Sequence, residues 1–266
     1  MVGVDRIHRV VSIDGTEVGW HRSGSGDPAV LLHGTSADGA DWGLAGPYLA
    51  RQLTLLSVDR RGRGRSGAGE PYDFDRETED LAAVVGALDE PPHVIAHSYG
   101  AVIALAAAAT GLQLRSLVLY EPPIKMFDHI DVTRIAEECE RALAAGDREQ
   151  VLRIFFRVVG EDAAVDMLKA TPRVFARFLA NAHTIPMELG VGATRFSGID
   201  VSCITVPTLL LLGTESAELF ADSVAALHAA LPRSEVATFR GQGHLGHALA
   251  PEAFSEIVLG FIARVD

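Results

Sequence analysis

The stretch from His93 to Ala109, HVIAHSYGAVIALAAAA, decides how this chain is read. A short apolar run ends at one serine, Ser98. Gly100 follows two residues later, and then a run of alanines and aliphatics with strong helix-forming character. The apolar run lacks the alternation of a half-exposed strand and is short enough for a fully buried one. A single hydroxyl, flanked by His97 and Tyr99, therefore stands at the junction of a buried strand and a buried helix.

On either side the same alternation repeats. RVVSIDGTEVGWHR reads as two strands around Asp14-Gly15, a hairpin signal. AVLLHG and LTLLSVD read as buried strands separated by a helix-like segment through GLAGPYLARQ. DRETEDLAAVVGALD has the apolar spacing and acidic first turn of a helix. LRSLVLYEPP is a strand stopped by two prolines, and VPTLLLLGTES resumes the strand theme after a long gap. LFADSVAALHAALP and PEAFSEIVLGFIARV read as helices around a short strand in SEVATFRGQGH. Strands alternating with helices predict an α/β fold. It has a mostly parallel sheet of about eight strands, helices on both faces, and antiparallel edge strands from the opening hairpin. Across the gap, VTRIAEECERALAAG, REQVLRIFFRVVG and AAVDMLKATPRVFARFLANAHT carry helical periodicity without strands. Residues 1–123 and 197–266 are thus expected to form the core, with 124–196 a helical lid inserted into a single domain.

Composition narrows the partners. Of 266 residues, 48% are hydrophobic, and the net charge of −12 disfavours nucleic acid. The one basic cluster, Arg60, Arg61, Arg63 and Arg65, is interleaved with glycine and is expected to be a solvated loop. Cys139 and Cys203 fit no metal or disulfide spacing and are expected to be free thiols of a reducing compartment. There is no apolar run long enough to cross a membrane, so a soluble, cytoplasmic protein without a membrane partner is expected.

Active sites of such sheets lie at the carboxyl ends of the strands, where Ser98 sits. Ala96-His97-Ser98-Tyr99-Gly100 fits the nucleophile-elbow pattern G-x-S-x-G with alanine for the first glycine. The backbone amide of Tyr99, at the helix start, would face an oxyanion bound near Ser98. The competing structural reading of Ser98 is a helix N-cap.

With HGTSADGADW, DRRGRGRSG, AHSYGA and GQGHLGHALAPE in this order, the chain resembles the α/β-hydrolase family over essentially its whole length. The resemblance implies that Ser98 is the nucleophile, that His244 is its base, and that the Thr35 amide joins that of Tyr99 in the oxyanion hole. His247 is three residues on and is the weaker candidate base. A metal pair of His244 and His247 is disfavoured, because no acidic or cysteine cluster completes it. His33 and His97 flank the site, as structural groups or, for His33, as a substrate contact.

The pattern departs at the acid. Its usual place, three residues after Gly213, holds Ser216. Glu121, ending the LVLYE strand, is the favoured substitute, and Glu215 is the alternative. Without either, a Ser–His dyad would be slower by roughly 10⁴-fold. Trp42, Tyr99, Phe127 and Phe155 are expected near the substrate, whereas more than half of the apolar lid residues, a set that includes Phe156, Phe178 and Phe196, are expected to pack the lid onto the core. Glu188 and Arg195 have no assigned role.

The expected activity is a carboxylesterase-like serine hydrolase acting on an ester or related acyl bond of a small, largely apolar molecule, without metal or other cofactor. Epoxide hydrolase and dehalogenase chemistry is disfavoured, because each needs a carboxylate nucleophile. The alternatives are a lyase, cyclase or cofactor-free oxygenase of the same fold, or a non-catalytic ligand-binding protein.

Overall fold

In the computed structural model, which describes residues 7–265 apart from 70, 196 and 197 and not the side chains of 127, 129 and 191–195, the Asp14-Gly15 turn joins β1 (Ile7–Val11) to β2 (Glu17–Gly24). Gly15 sits at φ +88°, a conformation glycine adopts without steric cost. β3 (Asp27–Leu32), β4 (Leu53–Val58), β5 (His93–His97), β6 (Ser116–Tyr120), β7 (Thr208–Gly213) and β8 (Ser234–Phe239) complete eight strands among the described residues. Their spatial order is β1-β2-β4-β3-β5-β6-β7-β8. The β1–β2 and β2–β4 pairs are antiparallel, and every other pair is parallel. This is the sheet expected from the alternating apolar runs.

Side-chain alternation divides the core in two. Val30, Leu32, Val94 and Leu119 face one side. There they meet α2 (Phe74–Gly86), α3 (Tyr99–Ala109) and α10 (Glu218–Ala230). Ala29, Leu31, Ile95 and Val118 face the other, against α1 (Gly46–Leu49) and α12 (Pro251–Val265). The helix-like GLAGPYLARQ segment forms α1, preceded by a short 3₁₀ turn over Gly39–Gly43. Both cysteines are free, Cys139 buried and Cys203 exposed.

Between β6 and β7 the chain forms α4 (Met126–His129), α5 (Val132–Ala144), α6 (Arg148–Val158), α7 (Ala164–Lys169), α8 (Pro172–Asn181) and α9 (Thr184–Arg195). The AAVDMLKATPRVFARFLANAHT pattern is broken rather than continuous. Pro172 lacks an amide donor and is accommodated at the first turn of α8, so a new helix starts there. This insertion has its own apolar cluster, centred on Leu152, Phe155, Phe156, Ile185 and Leu189, which also takes in Phe220 of α10.

The arginine loop after β4 is not solvated as the sequence suggested. Arg60, Arg61 and Arg63 are buried, and Arg65 is half-exposed. Charges leave water only when paired and hydrogen-bonded, and each of the three has a carboxylate waiting. Arg60 pairs with Glu77 (2.6 Å) and Glu188 (2.8 Å), Arg61 with Asp80 (2.7 Å) and Asp14 (3.0 Å), and Arg63 with Glu188 (2.7 Å). Glu188 belongs to α9, so this loop ties the helical insertion to the core. α11 (Gly246–Leu249) follows the loop after β8.

Candidate active site

Ser98 follows β5 in a strained backbone conformation, φ +53° and ψ −123°, and its side chain makes no capping bond to α3. The hydroxyl is therefore not spent as an N-cap. The turn is as tight as the sequence implied: a Cβ on Gly100 would lie 2.6 Å from the His33 carbonyl oxygen. Ser98 N–H donates to the Tyr120 carbonyl at 2.9 Å, so the elbow is held against the end of β6.

Glu121 follows Tyr120 directly and is itself at φ +50°. Its carboxylate is fully buried. Oε2 accepts from His244 Nδ1 at 2.7 Å. Oε1 accepts from the Gly213 amide at 2.8 Å and from the Ser216 hydroxyl. Ser216, which stands where the resemblance puts an acid, thus donates to Glu121. Gly213 can have no side chain here, because a Cβ would meet Gln242 O at 2.3 Å and Ser216 Oγ at 2.6 Å. Glu215 is exposed and accepts from the Thr214 hydroxyl, away from His244.

The loop carrying His244 is held from three sides. The His244 ring stacks on Phe220, 4.2 Å between centroids and 14° between planes. The Tyr120 hydroxyl donates to the Gly243 carbonyl and accepts from Gly246 N–H at 3.2 Å. His97 Nε2 donates to the His244 carbonyl at 2.9 Å. Burial, then the neighbouring His247 and His244, push His97 well below the ordinary histidine range, so it stays neutral. With a carboxylate on Nδ1, His244 carries its proton there and leaves the Nε2 lone pair available.

His33 is buried with both nitrogens engaged: Nδ1 donates to the Gly34 carbonyl at 2.8 Å, and Nε2 accepts from the Arg60 amide at 3.2 Å. Burial, then Arg60 and Arg63, hold it well below the ordinary range. It braces the loop after β3 through those two bonds. Trp42 likewise turns inward, against His247 (5.3 Å) and Phe254 (6.1 Å), because the 3₁₀ turn aims its ring at α12. Neither lines the cavity beside Ser98. That cavity has Thr35, Ser98 and Tyr99 on the core side and Met126, Phe155, Glu188 and Leu189 from the insertion. It offers about 10 Å³ to the centre of a water molecule, room for one water. The Phe127 side chain and Phe196 lie outside the described residues.

His247 Nε2 is 3.0 Å from Asp41 Oδ2, and with His97 these form a group whose ligand atoms lie within 4.8 Å of one another. The acid missing from the sequence argument is therefore present, but it sits with His247 and not His244. His97 Nε2 is spent on the His244 carbonyl, which leaves only Nδ1 of that ring for a ligand.

The model of the alpha/beta hydrolase family matches residues 29–257, which include the elbow, Glu121 and His244. The chain belongs to the alpha/beta hydrolase family. Among its relatives is an N-formylmaleamate deformylase of Pseudomonas putida, 34% identical over 105 residues, which are 38% of this chain. The matched stretch spans 39% of that relative's length. A 2-hydroxy-6-oxo-2,4-heptadienoate hydrolase of the same species is 25% identical over 98% of both chains. Among solved structures, an alpha/beta hydrolase from Sphaerobacter thermophilus superposes with a TM-score of 0.83 at 30% identity, covering 96% of this chain and all of its own. No helix of this alpha/beta hydrolase, among the described residues, is long and apolar enough to cross a membrane.

Four contributors to the site were not found from the sequence. Ser216 was read only as a missing acid, although a hydroxyl at that place was itself a signal. Tyr120 and Phe220 lie inside the LRSLVLYEPP and LFADSVAALHAALP stretches, where nothing in the pattern singles them out. Glu188 stood alone until the fold brought Arg60 and Arg63 to it.

Proposed function

We propose that this protein is a serine hydrolase that cleaves an ester or related acyl bond of a small molecule. The observation that carries the reading is the 2.7 Å contact of Glu121 with His244 Nδ1, beside a serine in an elbow conformation. Glu121 fixes the His244 tautomer and stabilises the imidazolium. Nε2 then takes the Ser98 proton as Oγ attacks the carbonyl carbon. The oxyanion falls to the backbone amides of Thr35 and Tyr99, the latter at the N-terminus of α3, where the helix dipole favours negative charge. The imidazolium returns the proton to the leaving alcohol. Water, activated by the same base, hydrolyses the acyl-enzyme and regenerates Ser98.

The carboxylate on His244 favours the hydrolase reading over a lyase, cyclase or oxygenase, for which the serine in the acid's place had left room. Met126, Phe155 and Leu189 over Ser98 support a small substrate and a lid role for the 124–196 insertion, since the cavity beneath them holds about one water. A fluorophosphonate probe should label the wild-type protein and not Ser98→Ala, and only the wild type should turn over p-nitrophenyl acetate. Labelling or turnover that survives in Ser98→Ala would refute the assignment.

A further inference from the structure

The cavity beside Ser98 is apolar on its insertion side except at one point, Glu188. Its side chain is 1% exposed. Burial alone would raise its carboxyl. The charges of Arg60 and Arg63, with a contribution from the Thr35 hydroxyl, more than offset this and hold it below the usual carboxylate range. The group is ionised at neutral pH. Only one of its oxygens is used: Oε1 accepts from Arg60 Nη2 at 2.8 Å and from Arg63 Nη2 at 2.7 Å. Oε2 is buried and has no hydrogen-bond partner among the described residues.

A buried carboxylate oxygen without a donor is costly, and native structures leave few of them. Here the missing donor has an address, because Glu188 lines the cavity that also holds Ser98 and Thr35. A water can fill the place in the resting protein, and a substrate donor would displace it. The surrounding charge says what kind of donor fits. Arg60, Arg63, Glu77 and Glu188 are linked by short contacts into a set of two cations and two anions. That set is already balanced, so an ammonium would add an uncompensated buried charge, and a carboxylate would face Oε2 directly.

We propose that Glu188 is a specificity-determining residue whose free oxygen accepts a hydrogen bond from a neutral N–H or O–H donor, a carboxamide or hydroxyl, carried by the molecule whose acyl bond Ser98 attacks. This rests on the serine-hydrolase reading above and revises the expectation of a largely apolar substrate: the substrate is apolar along Met126, Phe155 and Leu189 and carries a donor at Glu188.

Matched esters that differ only in the donor test this. On the acyl side, ethyl succinamate is compared with its isopropyl isostere, ethyl isocaproate, and with monoethyl succinate. On the alcohol side, the acetate of glycolamide is compared with isobutyl acetate. Hydrolysis is followed by pH-stat. On at least one side, the wild type should prefer the carboxamide over its isostere in kcat/KM by roughly 10- to 100-fold, the range for a hydrogen bond to a charged group. Monoethyl succinate should be disfavoured. In Glu188→Gln, which keeps the shape and loses the charge, the ratio should fall to within about 3-fold of one. Each ratio is taken within one preparation, so partial misfolding cancels. A wild-type ratio at or below one on both sides, or a ratio that survives in Glu188→Gln, overturns the proposal.

Should Glu188→Gln not fold, inhibition of the wild type by carbamoylethylboronic acid against isoamylboronic acid decides instead. The former should bind at least roughly 10-fold tighter, and equal binding overturns the proposal. Fluorophosphonate labelling of the same wild-type sample separates the two readings. Labelling without a donor preference sinks the role of Glu188 alone, and no labelling sinks the serine-hydrolase reading with it.

Discussion

Two histidine–carboxylate pairs lie side by side in this protein. His244 meets Glu121 and His247 meets Asp41, at 2.7 and 3.0 Å. Both rings are buried, and both pack 4.4 Å from the ring of His97. They differ in which nitrogen is tied. Glu121 takes Nδ1 of His244, leaving Nε2 for the proton transfer proposed above. Asp41 takes Nε2 of His247, leaving an Nδ1 that is buried without a partner among the described residues. The acids differ too. Glu121 has two donors on its second oxygen, whereas Asp41 sits on the 3₁₀ turn with a side chain still 14% exposed. A histidine beside an acid is thus not by itself a base: the free nitrogen must have somewhere to send a proton.

Deleting each ring tests this contrast most severely. His244→Ala should lower kcat on a p-nitrophenyl ester by roughly 10⁴-fold or more, as loss of a triad base does. His247→Ala should keep kcat within about 10-fold but lower the thermal midpoint, because it empties a packed site against Trp42 and Phe254. Comparable losses of turnover would erase the distinction. Neutralising the acids comes next. Glu121→Gln should cost roughly 10³- to 10⁴-fold in kcat. Asp41→Asn should cost about 1–3 kcal/mol in urea unfolding, with little change in turnover. The smallest effect is expected at Ser216. Ser216→Ala removes one donor from Glu121 Oε1 and should lower kcat roughly 10-fold with KM little changed. A larger gain would come from relocating the acid: Ser216→Asp added to Glu121→Gly should recover activity over Glu121→Gly alone, if the ends of β6 and β7 are interchangeable supports for His244.

The sheet was legible because buried parallel strands need unbroken apolar runs, and β3, β4, β5 and β7 each supply one. The placement of Ser98, Glu121 and His244 at one end of the sheet was legible because each lies at or after a strand end, where sequence position and spatial position nearly coincide. The rest depends on where side chains turn after long detours. Arg60 and Glu188 are 128 residues apart in sequence, and His247 and Asp41 are 206 apart. No local pattern records such meetings. Trp42 and His33 misled for the opposite reason: they neighbour the site in sequence, but a 3₁₀ turn and a pair of hydrogen bonds point them elsewhere.

Ser36, Ser98 and Glu121, at φ +61°, +53° and +50°, are the non-glycine residues with left-handed backbone among those described, and Ser98 and Glu121 directly follow the ends of β5 and β6. Each such residue stores of order 1–3 kcal/mol of strain that a glycine would relieve. Engineering for heat resistance would therefore be rewarded for erasing the Ser98 hydroxyl and the Glu121 carboxylate. On the serine-hydrolase reading, any campaign to toughen this protein has to screen turnover alongside melting, because at Ser98 and Glu121 the two objectives point in opposite directions.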